Sequence, residues 1–347
     1  MSDTSIGVAL IGYGFAGEIF HAPFITTTPG LALRVVSSRQ TARVAATCPG
    51  VTVVPAPAEA INRDDVTLVV VATPNDSHAP LVEQALAAGK HVVVDKPFTV
   101  TIEESRRVAA AATTADRRLA VFHNRRWDSD FLAVEQAVAS GAIGDVVECR
   151  SEIGRWRPAV RDRWRERPGP GAGLWYDLGP HLVHQALTLF GWPTGIDAAL
   201  RSQRAGSQTD DWFHVRLEYP GRDVLLDTSV LAADGPPRFV VRGTTGTLVK
   251  RGIDQQEKRL MAGERPAGDE WGRDDDPLLL WDGSDTPKHL AVPNGHYGRF
   301  YSAMRDAIAT GAPVPVSAGE AIDVMAILMA GFESSTTGRV VRPDRLA

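Results

Sequence analysis

Cysteine is almost missing: among 347 residues only Cys48 and Cys149 carry a thiol. Two such distant positions make neither a disulfide framework nor a metal-ligand spacing, which points to a reducing compartment. Long apolar runs are absent too, and none approaches the roughly twenty residues of a membrane-spanning helix. No sign of charge dominates, since 37 Lys and Arg against 42 Asp and Glu give −5 with histidine neutral. That mild acidity offers nothing to nucleic acid or to an anionic membrane. The opening residues lack a basic flank, and the apolar run behind them is too short for a secretory signal. A soluble cytoplasmic protein is expected. What is present, 44% hydrophobic and 23% charged residues, is ordinary globular composition in a chain long enough for two domains.

The first part alternates short β-branched runs with amphipathic stretches. Strands are expected at 7–11, 31–37, 51–54, 68–72, 91–94 and 119–122, and helices at 15–20, 40–47, 79–88 and 102–112. Valine runs that are apolar on both faces suit parallel strands buried between two helical layers. The alternation implies an α/β dinucleotide-binding domain with a doubly wound parallel sheet, over residues 1–123. After His123 the pattern changes. A helix at 128–139 and a strand at 145–153 lead into a basic, Pro- and Gly-rich loop at 155–173. A helix follows at 178–189, then five strand candidates in a row at 197–204, 212–219, 224–231, 239–242 and 247–250. Consecutive strands without helices mean a largely antiparallel open sheet, so 124–347 reads as an α+β domain. Residues 254–285, charged and rich in Gly and Pro, read as a surface excursion, and helices return at 297–309 and 318–333.

Gly12-Tyr13-Gly14-Phe15-Ala16-Gly17 lies between the first strand and the first helix, the context in which a GxGxxG run binds a dinucleotide. Gly12 permits the tight turn, Gly14 lets backbone approach a pyrophosphate, and Gly17 lets helix and strand pack closely. The second strand ends in Ser37-Ser38-Arg39 with no carboxylate. An NAD site wants an acid there, whereas two hydroxyls and a guanidinium suit a 2′-phosphate, so NADP(H) is expected with NAD(H) as the alternative. Thr73, Pro74, Asn75 and His78 follow another strand at the edge where such sheets bind ligands. The next strand ends in Asp95-Lys96-Pro97, which would present a lysine to a substrate oxygen. Downstream, Tyr176-Asp177-Leu-Gly-Pro180-His181-Leu-Val-His184 would place Asp177 and His181 on one helix face. Imidazole is the side chain best matched to proton transfer near neutrality. Pro180 either opens this helix or interrupts one begun near Gly173. Asp177, His181 and His184 could also ligate a metal, but no further ligand clusters with them, and no metal is expected.

Together these motifs resemble the family of glucose–fructose oxidoreductase and inositol dehydrogenase along essentially the whole chain. A narrower resemblance, to the branch with NADP-dependent scyllo-inositol dehydrogenase, rests on Gly12–Pro23, His123–Phe131, Arg157–Glu166, Tyr176–His181 and Gly252–Glu257. It implies hydride transfer between a nicotinamide and a secondary alcohol of a cyclitol or sugar. By matching position it implies Lys96, Asp177 and His181 as the catalytic and substrate-binding set, shared between two domains with substrate in the cleft. It adds Asn124, Trp164 and Arg165 on the cofactor side, and Tyr297 is a further candidate for the substrate. Two departures stand out: Asp95 replaces the family's usual glutamate, and His184 its usual aspartate. A homodimer or homotetramer is expected through the second domain's sheet, because an uncovered face would be a large apolar patch. The competing readings are a non-catalytic NADP(H)-binding regulator and a relative acting on another sugar or a dihydrodiol.

Overall fold

The computed structural model describes residues 5–268 and 270–345, so the outermost limits of the two expected domains, 1 and 347, lie outside the described residues. Two compact units emerge. The first comprises residues 1–124 with two later segments, 256–271 and 296–322, and the second 125–255, 272–295 and 323–347. The chain therefore returns to the first unit twice, where a single cut at 123/124 was expected.

In the first unit, strands β1 (Ile6–Ile11), β2 (Leu31–Ser37), β3 (Thr52–Val54), β4 (Leu68–Val71), β5 (His91–Asp95) and β6 (Leu119–Phe122) form one sheet in the order β3-β2-β1-β4-β5-β6. All pairings are parallel. This is the doubly wound order, with its switch point between β1 and β4. Val69–Val71 and Val92–Val94 are wholly buried, as expected of strands covered on both faces. The helices are α1 (Ala22–Thr27), α2 (Thr41–Thr47), α3 (Pro57–Ile61), α4 (His78–Ala87) and α5 (Ile102–Thr114). A capping box starts α5: Thr101 Oγ1 accepts the Glu104 N–H at 3.2 Å, and Glu104 Oε2 accepts the Thr101 N–H at 3.1 Å. Helical backbone begins at Phe15 and widens into a π turn over Gly17–His21 before α1, turning His21 into the core.

The second unit opens with α6 (Ser129–Ala139), β7 (Val146–Gly154), α7 (Leu174–Phe190), β8 (Gly195–Arg201), β9 (Trp212–Tyr219), β10 (Arg222–Ser229), β11 (Phe239–Gly243) and β12 (Thr247–Lys250). The supposed surface excursion is in fact structured. It contains α8 (Gln256–Met261) in the first unit and β13 (Leu278–Trp281) in the second, with β14 (Lys288–Leu290) beyond it. Gln256 Oε1 accepts both the Trp271 indole N–H at 3.1 Å and the Tyr297 N–H at 2.8 Å, and Trp271 is buried against Phe24. Exposed charges such as Lys258, Glu264, Arg265, Arg273 and Asp275 hid a short apolar pattern, while Asp254 is itself buried. Last come α9 (Gly298–Thr310) in the first unit and α10 (Ala318–Thr337), inside which the chain passes to the second unit.

The second sheet has eight strands in the order β14-β13-β12-β11-β7-β10-β9-β8, antiparallel throughout except for β7 with β10. Phe213, Val215, Leu217, Val224 and Leu226 point inward and are buried. The opposite rows are charged: Glu148, Arg150 and Glu152 on β7, and His214, Arg216 and Glu218 on β9. Cross-strand pairs join them, His214 to Asp227 at 2.6 Å and Arg242 to Glu148. Leu225 of β10 shares that outward face, and past β7 Val240, Val249 and Leu279 continue it in one half-exposed apolar strip, so period-two alternation put a charged set and an apolar strip outward together. Among the described residues, no helix is long and apolar enough to cross a membrane.

Candidate active site

The glycine turn has the shape a dinucleotide phosphate requires. Gly12 has φ +96°, and a Cβ there would lie 2.4 Å from the Ala72 carbonyl oxygen, so no other residue fits. A Cβ on Gly17 would fall 2.2 Å from the Gly12 oxygen, whereas one on Gly14 would meet nothing within 4 Å. Backbone at Gly14 is thus open to an incoming group at the start of a helix, where N–H groups favour anions. The turn fits a pyrophosphate. Tyr13 contributes its backbone only: its ring is buried, with the hydroxyl 2.6 Å from Thr47 Oγ1 and 3.4 Å from Cys48 Sγ. Phe15 is exposed and Ala16 partly so.

At the end of β2, Ser37 is buried and its carbonyl accepts the Gly12 N–H at 3.0 Å. Ser38 Oγ accepts the Gln40 N–H at 3.0 Å, which leaves its own hydroxyl proton for a ligand, and Arg39 is exposed beside it. Thr73 Oγ1 accepts the Ser77 hydroxyl at 2.7 Å, and Asn75 is buried. His78 departs from its expected role as a cofactor contact. It is fully buried, with Nδ1 2.9 Å from the Pro97 carbonyl and Nε2 3.0 Å from the Thr73 carbonyl. The ring ties the loop after β4 to the loop after β5 from inside. Burial draws its pKa below the usual imidazole value, against the opposing pull of Asp95 and these carbonyls.

Lys96 follows β5 at the carboxyl edge of the same sheet, with a cis peptide bond to Pro97. Asp95 is buried and its Oδ1 accepts the Lys96 N–H at 2.8 Å. Burial pushes the Asp95 carboxyl upward, but His21, Lys96 and His78 outweigh it and hold the pKa below the usual value. His21 Nε2 lies 3.9 Å from Asp95 Oδ1, and His21 Nδ1 lies 2.6 Å from the Tyr301 hydroxyl. No sequence motif pointed to Tyr301, which comes from α9. Tyr297, expected near substrate, is instead buried with its ring edge-on to Phe20 and Phe24. Asn124 is buried at the end of the first unit's main segment.

In the second unit α7 begins at Leu174, the earlier of the two starts the sequence left open, with Gly173 as its N-cap and Pro180 inside it. Proline there has no N–H for the helix ladder, yet the helix continues through it. Its start is held from outside: Asp210 Oδ2 accepts the Trp175 N–H at 2.6 Å and the Asp210 carbonyl accepts the Leu174 N–H at 2.9 Å. Asp177 sits in the first turn, where the helix dipole favours an anion, with Arg165 Nε 3.5 Å away. Arg165 also lies over the Trp164 ring at 4.5 Å. Asp177 and Arg165, with Arg163 and Asp210, line one shallow recess. His181, one turn beyond Asp177, and His184 are both buried. Among the described residues no group of three His, Cys, Asp or Glu side chains is placed to hold a metal ion.

Comparison with known proteins places this arrangement. The model of an oxidoreductase-family NAD-binding Rossmann fold matches residues 6–123, and that of the same family's C-terminal alpha/beta domain matches residues 135–342. The chain belongs to the Gfo/Idh/MocA oxidoreductase family. It is 48% identical to the uncharacterised oxidoreductase YdgJ of Escherichia coli, over 96% of this chain and 97% of that one. It is 36% identical to IolW of Bacillus subtilis, named a scyllo-inositol 2-dehydrogenase (NADP+), over 97% of this chain and 96% of that one. A solved structure of a Bacillus cereus oxidoreductase superposes with a TM-score of 0.89 at 31% identity, covering 99% of this chain and 100% of the other. As a Gfo/Idh/MocA member the protein is an oxidoreductase with an NAD(P)-binding Rossmann domain.

Proposed function

We propose that the protein is an NADP(H)-preferring dehydrogenase acting on a secondary alcohol of a cyclitol or sugar, with scyllo-inositol the first substrate to try. The observation that carries this reading is the position of Lys96 on the sheet that bears the glycine turn. β1 and β5 flank β4, so at about 4.8 Å per strand Lys96 stands roughly 10 Å along the carboxyl edge from Gly12. A dinucleotide anchored at the turn and extended along that edge brings its far end to the lysine. The buried, ionised Asp95 next to Lys96 supplies counter-charge there. IolW supports both the substrate class and the phosphorylated nucleotide, and Ser37, Ser38 and Arg39 supply donors where an NAD-selective site wants a carboxylate.

When bound, the nicotinamide supplies the two-electron chemistry as hydride acceptor or donor. Gly12 to Gly17 and Thr73 to Asn75 cradle the nucleotide, and Ser38 and Arg39 bind its 2′-phosphate. Lys96 polarises the oxygen on the reacting carbon, His181 takes the hydroxyl proton, and Asp177 orients the polar partners and the substrate. Lys96→Ala and His181→Ala should each abolish turnover while nucleotide still binds, measured by nicotinamide fluorescence titration; normal turnover in either variant refutes the assignment. Arg39→Ala should weaken NADPH on the order of tenfold and NADH little, and equal weakening discredits the phosphate contact. The reading includes a homodimer or homotetramer through the eight-stranded sheet. With charged outward rows that assembly should weaken in salt, and a monomer at every ionic strength in sedimentation rules it out.

A further inference from the structure

His21, Tyr301 and Asp95 lie in line inside the first unit, adjoining the proposed catalytic lysine. The π turn delivers His21 to a site without solvent, where its ring meets Phe122 at a centroid distance of 4.4 Å. Its two nitrogens face unlike partners, the Tyr301 hydroxyl at 2.6 Å on Nδ1 and the Asp95 carboxylate at 3.9 Å on Nε2. Tyr301 is fully buried as well, and burial together with the Asp95 charge raises its pKa well above the phenol value. It is therefore a neutral hydroxyl, able to donate its proton to Nδ1. A neutral imidazole carries one ring proton. The Asp95 carboxylate can only accept, so it calls for that proton on Nε2 and leaves Nδ1 to accept from the Tyr301 hydroxyl.

We propose that Tyr301 and His21 are positioning residues: the tyrosine backs one histidine tautomer by donating to Nδ1, and the Nε2–H keeps the Asp95 carboxylate charged and aligned beside Lys96. This rests on the assignment of Lys96 to the reaction. Without the His21 N–H, Asp95 keeps the Lys96 backbone N–H but loses a group that holds its pKa down, so it moves toward protonation and Lys96 would lose counter-charge. The groups acting on Asp95 are His21 from the π turn, Lys96 next to it, His78 from α4 and Tyr301 from α9. Of these, His21 is the one whose far nitrogen faces a hydroxyl that can donate to it, leaving the nitrogen toward Asp95 as the donor.

The ligand-free full chain gives two readouts that do not need turnover. Long-range ¹H–¹⁵N spectra of the His21 ring, assigned with His21→Gln, should show the proton on Nε2 in the wild type. In Tyr301→Phe the proton should redistribute toward Nδ1. A wild-type proton on Nδ1 overturns the proposal. Unfolding midpoints across pH give the second readout. Asp95 has its pKa lowered in the folded state, so its stabilisation is present above the unfolded value and lost as pH falls. The midpoint gap between wild type and His21→Ala, or Tyr301→Phe, should open as pH rises from about 4 to about 6 and then stay level. His21→Gln, which keeps an N–H donor, should show a smaller gap. A gap independent of pH means that the pair only packs, and overturns the proposal. Should Lys96→Ala turn over normally, the assignment of Lys96 fails while both readouts still decide the His21–Tyr301 relay.

Discussion

Replacing Asp210 by asparagine should leave the fold intact and make it more stable at neutral pH. Burial pushes this carboxyl from 3.8 up to about 6, the N–H groups of Trp175 and Leu174 oppose the rise, and Asp211 adds to it. The folded chain thus binds the proton more tightly than the unfolded chain. Its contribution is favourable at low pH and is lost as pH rises from 3.8 through about 6. That rise in pKa corresponds to about 3 kcal/mol, an upper bound because Asp210 keeps some contact with solvent; about 1–2 kcal/mol is the reasonable expectation. Asparagine retains an oxygen for the Trp175 N–H and carries no charge. Urea unfolding of both proteins should show a gain of that size for Asp210→Asn near pH 7.5, shrinking toward pH 4. A variant less stable than wild type near pH 7.5, or a difference indifferent to pH, refutes the reasoning.

Gly173 tests the same helix start from the other side. Its φ of +98° and ψ of 165° are essentially glycine-only backbone, and a Cβ would sit 2.0 Å from Asp210 Oδ1. Gly173→Ala should therefore cost about 2–4 kcal/mol in denaturant melts, and an unchanged melt would show that the turn tolerates a side chain. Tyr13→Phe should lose about 1 kcal/mol through the hydroxyl contacts to Thr47 and Cys48. Its NADPH and NADH affinities should stay at wild-type values by fluorescence titration, and a selective loss of affinity would mean that the phenol reaches the nucleotide.

The features legible from sequence are those whose signal is local. Valine runs announced the first sheet because strands covered on both faces have no polar period to break them, and the second sheet's alternating rows announced strands of the opposite kind. Gly12 to Gly17 were legible because a turn that rejects Cβ atoms leaves a mark on residue identity alone. The second unit's outward face was legible only in part, since period two tells which residues share a face and not what that face is made of until the strands are paired: charged rows on β7 and β9, with Leu225, Val240, Val249 and Leu279 among them. Trp271 went unplaced and Tyr297 was expected near substrate, because nothing local shows that Gln256 and Phe24 gather both into the first unit's core.

Side chains whose role depends on a remote partner left no such mark. His21 and Tyr301 stand 280 positions apart in the chain, and nothing near either one signals the other. His21 and His78 make the point most sharply. Both are buried histidines in the helical backbone that follows a strand-end loop of one sheet, and both act on Asp95. One faces a carboxylate that can only accept and a hydroxyl that can donate, so its proton belongs on the nitrogen toward the carboxylate. The other faces two carbonyl oxygens, which reward a donor at either nitrogen and hold two loops together. The same imidazole is an orienting group in the first setting and a brace in the second, and only the identity of the atoms opposite its nitrogens separates the two.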